Sequence, residues 1–136
     1  MAGIPEIRVP HDVEAAFVGY LGGLGYKVST RVPSKRQPGM IRLTRSGGSL
    51  GRDAILDNPQ LLVEVWGKDQ ADSWDRAIAL YADLMRAAYL GEPASIGITH
   101  MQPEPPVTFE DEYAPELHRH MLNVSIVCHL TTLEAK

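Results

Sequence analysis

Five histidines (His11, His100, His118, His120 and His129) and one cysteine, Cys128, are the residues of this 136-residue chain best suited to bind a metal or attack a substrate. His118 and His120 stand two apart beside Glu116. In an extended segment such residues share a face, so two imidazoles and a carboxylate could meet a metal. No spaced carboxylate motif accompanies them, and a solvated loop is the other reading. His129 alternates with the apolar positions of its segment and points to solvent or a partner. Cys128 falls on the apolar face made by Leu122, Val124, Ile126 and Leu130, with no activating neighbour, and reads as a core residue. A lone cysteine also excludes an intrachain disulfide.

Asp57, Glu64 and Lys68 have the acid–acid–lysine order of restriction-type nucleases. Those sites hold the second acid and the lysine two apart on one strand, both aimed at a metal and a water. Here Glu64 and Lys68 are four apart, and Trp66 occupies the position two after Glu64. The segment from Arg45 to Arg52, Arg-Ser-Gly-Gly-Ser-Leu-Gly-Arg, could cradle a phosphate. It lacks the Gly-Lys-Ser/Thr ending of a P-loop, and no clear helix follows it. A flexible basic interaction loop over residues 33–52 is the better reading. These residues assign no catalytic, cofactor-binding or metal role.

Charge is distributed unevenly. Lys27, Arg31, Lys35, Arg36, Arg42, Arg45 and Arg52 fall in one run without an acid, although the chain has 17 acids and 13 bases. Its net charge of −4 argues against a general nucleic-acid coat. From Gln102 to Glu116 the chain is acidic and proline-rich, with Glu104, Glu110, Asp111, Glu112 and Glu116 and no base. Two readings follow. The blocks meet within one subunit, or the basic loop of one copy faces the acidic excursion of the next. The second is a head-to-tail contact that closes into a ring when its rotation allows. It names Arg31, Lys35, Arg36, Arg42, Arg45, Arg52, Glu110, Asp111 and Glu112 as contact residues. It also expects reversal of Arg45 and Arg52 to Glu to abolish ring closure or tail capping without unfolding the subunit.

The elements that would position these residues follow from pattern. Residues 1–9 read as an arm. Asp12 caps a helix whose face is Val13, Ala16, Phe17, Tyr20, Leu21 and Leu24, ended by Gly22, Gly23 and Gly25. Strands are expected over Tyr26–Val32 and Met40–Arg45, then a glycine loop, an Asp57-Asn58-Pro59 turn, and a central strand Leu61–Trp66. Asp69 or Asp72 caps a second helix with the stripe Trp74, Ala77, Ile78, Tyr81, Leu84, Met85, Ala88 and Tyr89. That stripe is read as core, with a partner groove as the alternative. Gly91 and Pro93 end the helix. A strand beginning at Ile96 and Ile98, an acidic excursion over 102–118, and a last strand Met121–Thr131 complete the chain. One domain over 1–136 is expected. Its class is α+β: a mostly antiparallel sheet of four to five strands with two helices packed on one face. No apolar run approaches a bilayer span and the start lacks signal-peptide features, so synthesis in a cytoplasm is expected.

From Arg31 to Tyr89 the chain resembles the tail terminator (tail completion) proteins of long-tailed bacteriophages, particularly those of actinobacteria. The resemblance is carried by Arg31-Val32-Pro33, Ile41-Arg42-Leu43-x-Arg45-x-Gly47-Gly48, Asp57-x-Pro59, Val63-Glu64-Val65-Trp66-Gly67 and the helix from Ala71 to Ala88. The helix from Asp12 to Leu24 stands where the family has its first helix. The end departs: the acidic excursion is long, and the last strand lacks an expected Arg-Gly. The resemblance implies a non-catalytic virion protein at the neck end of the tail. It forms a ring, usually of six subunits, that caps the tail tube, stops its polymerisation and meets the head–tail connector. DNA passes through the lumen without sequence-specific binding. The alternatives are a head-completion or connector adaptor, a small metal-dependent nuclease using Asp57 and Glu64, and a host-side binding module.

Overall fold

Asp12 opens the first helix as its side chain predicts: its carboxylate accepts the Ala15 N–H at 3.0 Å. The computed structural model describes residues 6–50 and 55–133. In order, it contains β1 (Arg8–Pro10), α1 (Val13–Gly23), β2 (Lys27–Ser29), β3 (Met40–Leu50), β4 (Leu56–Gly67) and α2 (Gln70–Leu90). A 3-10 turn (Ala94–Ile96), β5 (Ile98–Pro103), β6 (Val107–Thr108) and β7 (His118–Thr132) follow. The class is α+β, with two helices over one sheet.

The sheet is larger than expected and mixed. It has seven strands on the path β1-β7-β4-β3-β2, with β5 and β6 also pairing β7. β2 runs parallel to β3, Val28 facing Ile41. Parallel neighbours need a crossover and not a tight turn, and residues 30–39, with Pro33 and Pro38, supply it. β1 and β6 are three and two residues long. The expected arm and the expected excursion each contribute a strand only because β7 offers them a long open edge.

The glycine loop is a strand. β3 continues through Gly47 and Gly48, which face Gln60 and Pro59 of β4, with a register shift between Arg45 and Gly47. Asp57-Asn58-Pro59 is therefore ladder and not turn. Gly48 has φ +103°, and a Cβ there would lie 2.1 Å from the Asn58 carbonyl oxygen. Glycine permits both the left-handed backbone and the close approach. The segment 51–54, with Gly51 and Arg52, lies outside the described residues.

One core joins both helices to one face of the sheet. Val13, Phe17 and Leu21 of α1 and Ala77, Leu80, Leu84 and Ala87 of α2 pack on Ile41, Leu43, Leu61, Val63, Val65, Leu122, Val124 and Ile126. Asp69, not Asp72, caps α2, accepting the Asp72 N–H at 2.8 Å, and Gly91 closes it in the left-handed conformation. The α2 stripe is rotated from its expected position. The sheet covers Ser73, Ala77, Leu80, Leu84 and Ala87, whereas Trp74, Ile78, Met85 and Tyr89 are exposed. The apolar arc of this helix is wider than one sheet face can cover.

Gly48→Ala is expected to cost about 1–3 kcal/mol, whereas Gly47→Ala, which meets open space, should stay within about 0.5 kcal/mol. Urea midpoints of the two variants check this, and equal losses would contradict the strained Gly48.

Candidate functional site

β4 is buried on both faces at its end, where Glu64 and Trp66 point away from the helices. Neither an indole N–H nor a carboxylate stays buried without a partner. The partners come from the acidic excursion, from β7 and from Arg42 of β3. The chain leaves β5, pairs briefly through β6, and folds back over this face. Glu104 N–H donates to the Asn123 carbonyl at 2.8 Å and Phe109 N–H to that of Arg119 at 3.0 Å.

Asp111 is the hinge of the arrangement. It accepts Trp66 Nε1–H at 2.9 Å and its own loop's Tyr113 N–H at 3.0 Å. Arg36 Nε lies 2.7 Å from its Oδ2, an ion pair without a directed hydrogen bond, and the guanidinium sits 5.7 Å from the Tyr113 ring centre. Burial pushes the Asp111 carboxyl up, but the indole and backbone donors, with Arg36 and Arg119 nearby, outweigh it and hold it below its ordinary value. Arg119 donates to the Phe109 and Glu110 carbonyls at 2.9 and 3.0 Å and lies over the Phe109 and Trp66 rings. Arg119 and Arg42 both approach Glu64, at 3.5 and 3.6 Å.

Around these contacts lies a cleft of about 690 Å³, whose walls include Arg36, Arg42, Arg119, Phe109 and Tyr113. Glu110, Asp111 and Glu112 complete its acidic side. Five of the nine residues proposed as intersubunit contacts thus share one cleft: Arg36, Arg42, Glu110, Asp111 and Glu112. Of the two readings of the charge blocks, the one within a subunit describes Arg36 and Asp111. Arg31 and Lys35 are exposed, without an ion pair among the described residues, and Arg52 lies outside those residues. Sequence reasoning missed Arg119 and Trp66. The signal was the single base just after an acid-rich run, which register places opposite Trp66.

Arg45 belongs elsewhere. It forms a two-pronged pair with Asp57, Nη1 to Oδ2 at 2.7 Å and Nη2 to Oδ1 at 2.8 Å, while its backbone N–H donates to Glu14 of α1 at 2.8 Å. The Asp57 hydrogen bonds, foremost, raise the Arg45 pKa further. Asp57 is completely buried. Reversing Arg45 would leave like charges at a buried site, so a folded R45E subunit is no longer expected.

The other chemical candidates are tied down. Asp57 lies on the helix side of β4 and Glu64 on the opposite side, so the nuclease pair does not converge. His120 is buried, with Nδ1 2.6 Å from Ser73 Oγ and Nε2 3.3 Å from Thr108 Oγ1. Burial, assisted by His118, pushes its imidazole below the ordinary value. Burial pushes the Cys128 thiol up to about 11, leaving little thiolate at neutral pH. Among the described residues, no three of His, Cys, Asp and Glu gather as a metal site. No family model matches the chain, and no curated protein does.

Arg45→Met should destabilise the fold by about 3–5 kcal/mol, because it strands a buried carboxylate; chemical denaturation checks this, and a loss below about 1 kcal/mol would mean the pair is surface-like. His120 makes acid destabilising. Its folded pKa lies below its unfolded one, so its stabilisation is present above about pH 6.5 and is lost as the pH falls through and below that value. The wild type should therefore lose up to about 1.4 kcal/mol per pH unit more than His120→Gln between pH 6.5 and its folded pKa. Parallel melting curves across that range would refute the assignment.

Proposed function

We propose that the chain is a non-catalytic assembly subunit which forms a ring at the neck end of a phage tail, as its resemblance to tail terminator proteins implies. The ring caps the tube, ends its polymerisation and presents a surface to the head–tail connector. One observation carries the reading. Beside its buried stripe, α2 bears a second apolar stripe that the described residues leave largely uncovered: Trp74 is 44% exposed, Met85 41% and Tyr89 91%, with Leu90 at 67% beyond them.

Scattered surface apolar residues need no explanation, but a contiguous band along one helix marks a docking face. The band extends about 22 Å at 1.5 Å per residue. The acids and arginines that an enzyme would keep available are instead spent on pairs within the subunit: Asp57 with Arg45, Asp111 with Arg36, Glu64 with Arg42 and Arg119. A rigid brick with an unsatisfied apolar face suits assembly better than turnover.

Polymerising tail tube protein with and without the purified chain tests this. The expected result is shorter tubes whose ends carry extra density in electron micrographs. Unchanged lengths and bare ends would overturn the capping function, and binding to connector but not to tube would move the protein to a neck-adaptor role.

A further inference from the structure

The exposed stripe of α2 needs something to cover it, and the chain carries a matching surface. At the sheet edge, Val28, Val32, Pro33 and Met40 line an apolar groove of about 520 Å³, rimmed by Lys27 and Arg31. β2 forms this edge and shields β3 only over Met40–Arg42. Lys27 and Arg31 are exposed and have no ion pair among the described residues. With Lys35, they are what remains of the basic run among the described residues once Arg36, Arg42 and Arg45 have been paired internally.

The helix has the opposite character. Trp74 and Ile78 form the N-terminal half of a ridge, and Asp75 beside them is exposed and unpaired among the described residues. Arg76 and Arg86, the helix's two bases, are already held by Asp72 and Asp83. The ridge is therefore apolar with an acidic flank, and the groove is apolar with a basic rim. The buried stripe fixes α2 against its own sheet; Trp74 meets the His120 ring of β7 edge-on at 5.7 Å and leaves its remaining surface, with Ile78, open to solvent.

We infer that the Trp74–Ile78 ridge of one copy seats in the Val28–Val32–Met40 groove of the next, with Asp75 facing Arg31 and Lys27. This inference rests on the ring reading and names its contact. Ridge and groove are different surfaces of one chain, so the contact is head-to-tail, and it closes into a ring when its rotation allows. Arg31 can also stack on the Trp74 ring, the pairing most favoured among cations and aromatic faces. Apolar ridge and groove supply affinity, and the opposed charges set register. The occupant is a second copy because ridge and groove are both apolar and their flanking charges are opposite in sign.

The test combines charge exchange with a covalent trap. Arg31→Glu and Asp75→Arg should each weaken self-assembly about tenfold in native mass spectra. The double variant, which restores opposite signs, should recover most of that loss. In a Val32→Cys, Ile78→Cys double variant, oxidation should give a ladder of disulfide-linked multimers, because Cys128 is buried and not itself reactive. Single reversals without effect, a double variant no better than the singles, or no ladder would each overturn the inference. Wild-type rings that survive all these changes would refute this contact alone. A protein that stays a single subunit at every concentration, with or without tail tubes, would refute the ring reading as well.

Discussion

A strand that is covered on both faces has to find partners for every polar group it carries, and β4 carries two in the wrong place for a simple two-layer fold. Leu61, Val63 and Val65 face the helices and need only hydrophobic company. Glu64 and Trp66 are buried beside them but on or toward the far side. Leaving either without a partner would cost about 1–3 kcal/mol or more. The chain solves this with the segment that composition marks as least fit for burial. The acidic excursion returns so that Asp111 takes the indole N–H, while Arg119 from β7 donates to Glu64 Oε1 and Arg42 from β3 faces Oε2 at 3.6 Å as an ion pair without a hydrogen bond. The cleft is a by-product of satisfying β4.

That solution decides which charges remain for the outside. Arg36, Arg42, Arg45 and Arg119 are each engaged by a carboxylate of the same chain. The long basic run is thereby reduced, among the described residues, to Lys27 and Arg31 at one sheet edge and Lys35 in the connection that follows. On α2 the apolar arc exceeds what the sheet can cover, and Asp75 is left beside it. A subunit built this way keeps its buried charges paired and carries two unlike surfaces. Such a division would suit the proposed assembly role, with internal pairs holding the shape and the leftover apolar and charged surfaces open to a neighbour.

The sequence was most informative where local chemistry decides the outcome. Asp12 and Asp69 cap because a carboxylate satisfies free N–H groups there, and Gly91 ends α2 because it enters the left-handed region cheaply. It was least informative where a partner decides. Gly47-Gly48 and Asp57-Asn58-Pro59 carry turn chemistry, yet each occupies a ladder position because the opposite strand accommodates it. β1 and β6 are too short to show a period and exist through β7. On α2 the period was legible but the phase was not: Leu80 and Ala87, outside the expected stripe, face the sheet. For the site, both charge blocks were visible in composition. Which acid meets which base depends on topology, so Arg36 could be paired with Asp111 only once the excursion's path was known.

The central claim is that unlike surfaces of one chain close copies of it around a hollow centre. Class averages from electron micrographs of the concentrated protein, alone and on tail tubes, test it most directly. The account predicts closed annuli with a single open lumen and rotational symmetry. Isolated subunits in both samples, two-fold pairs, or open filaments would contradict it.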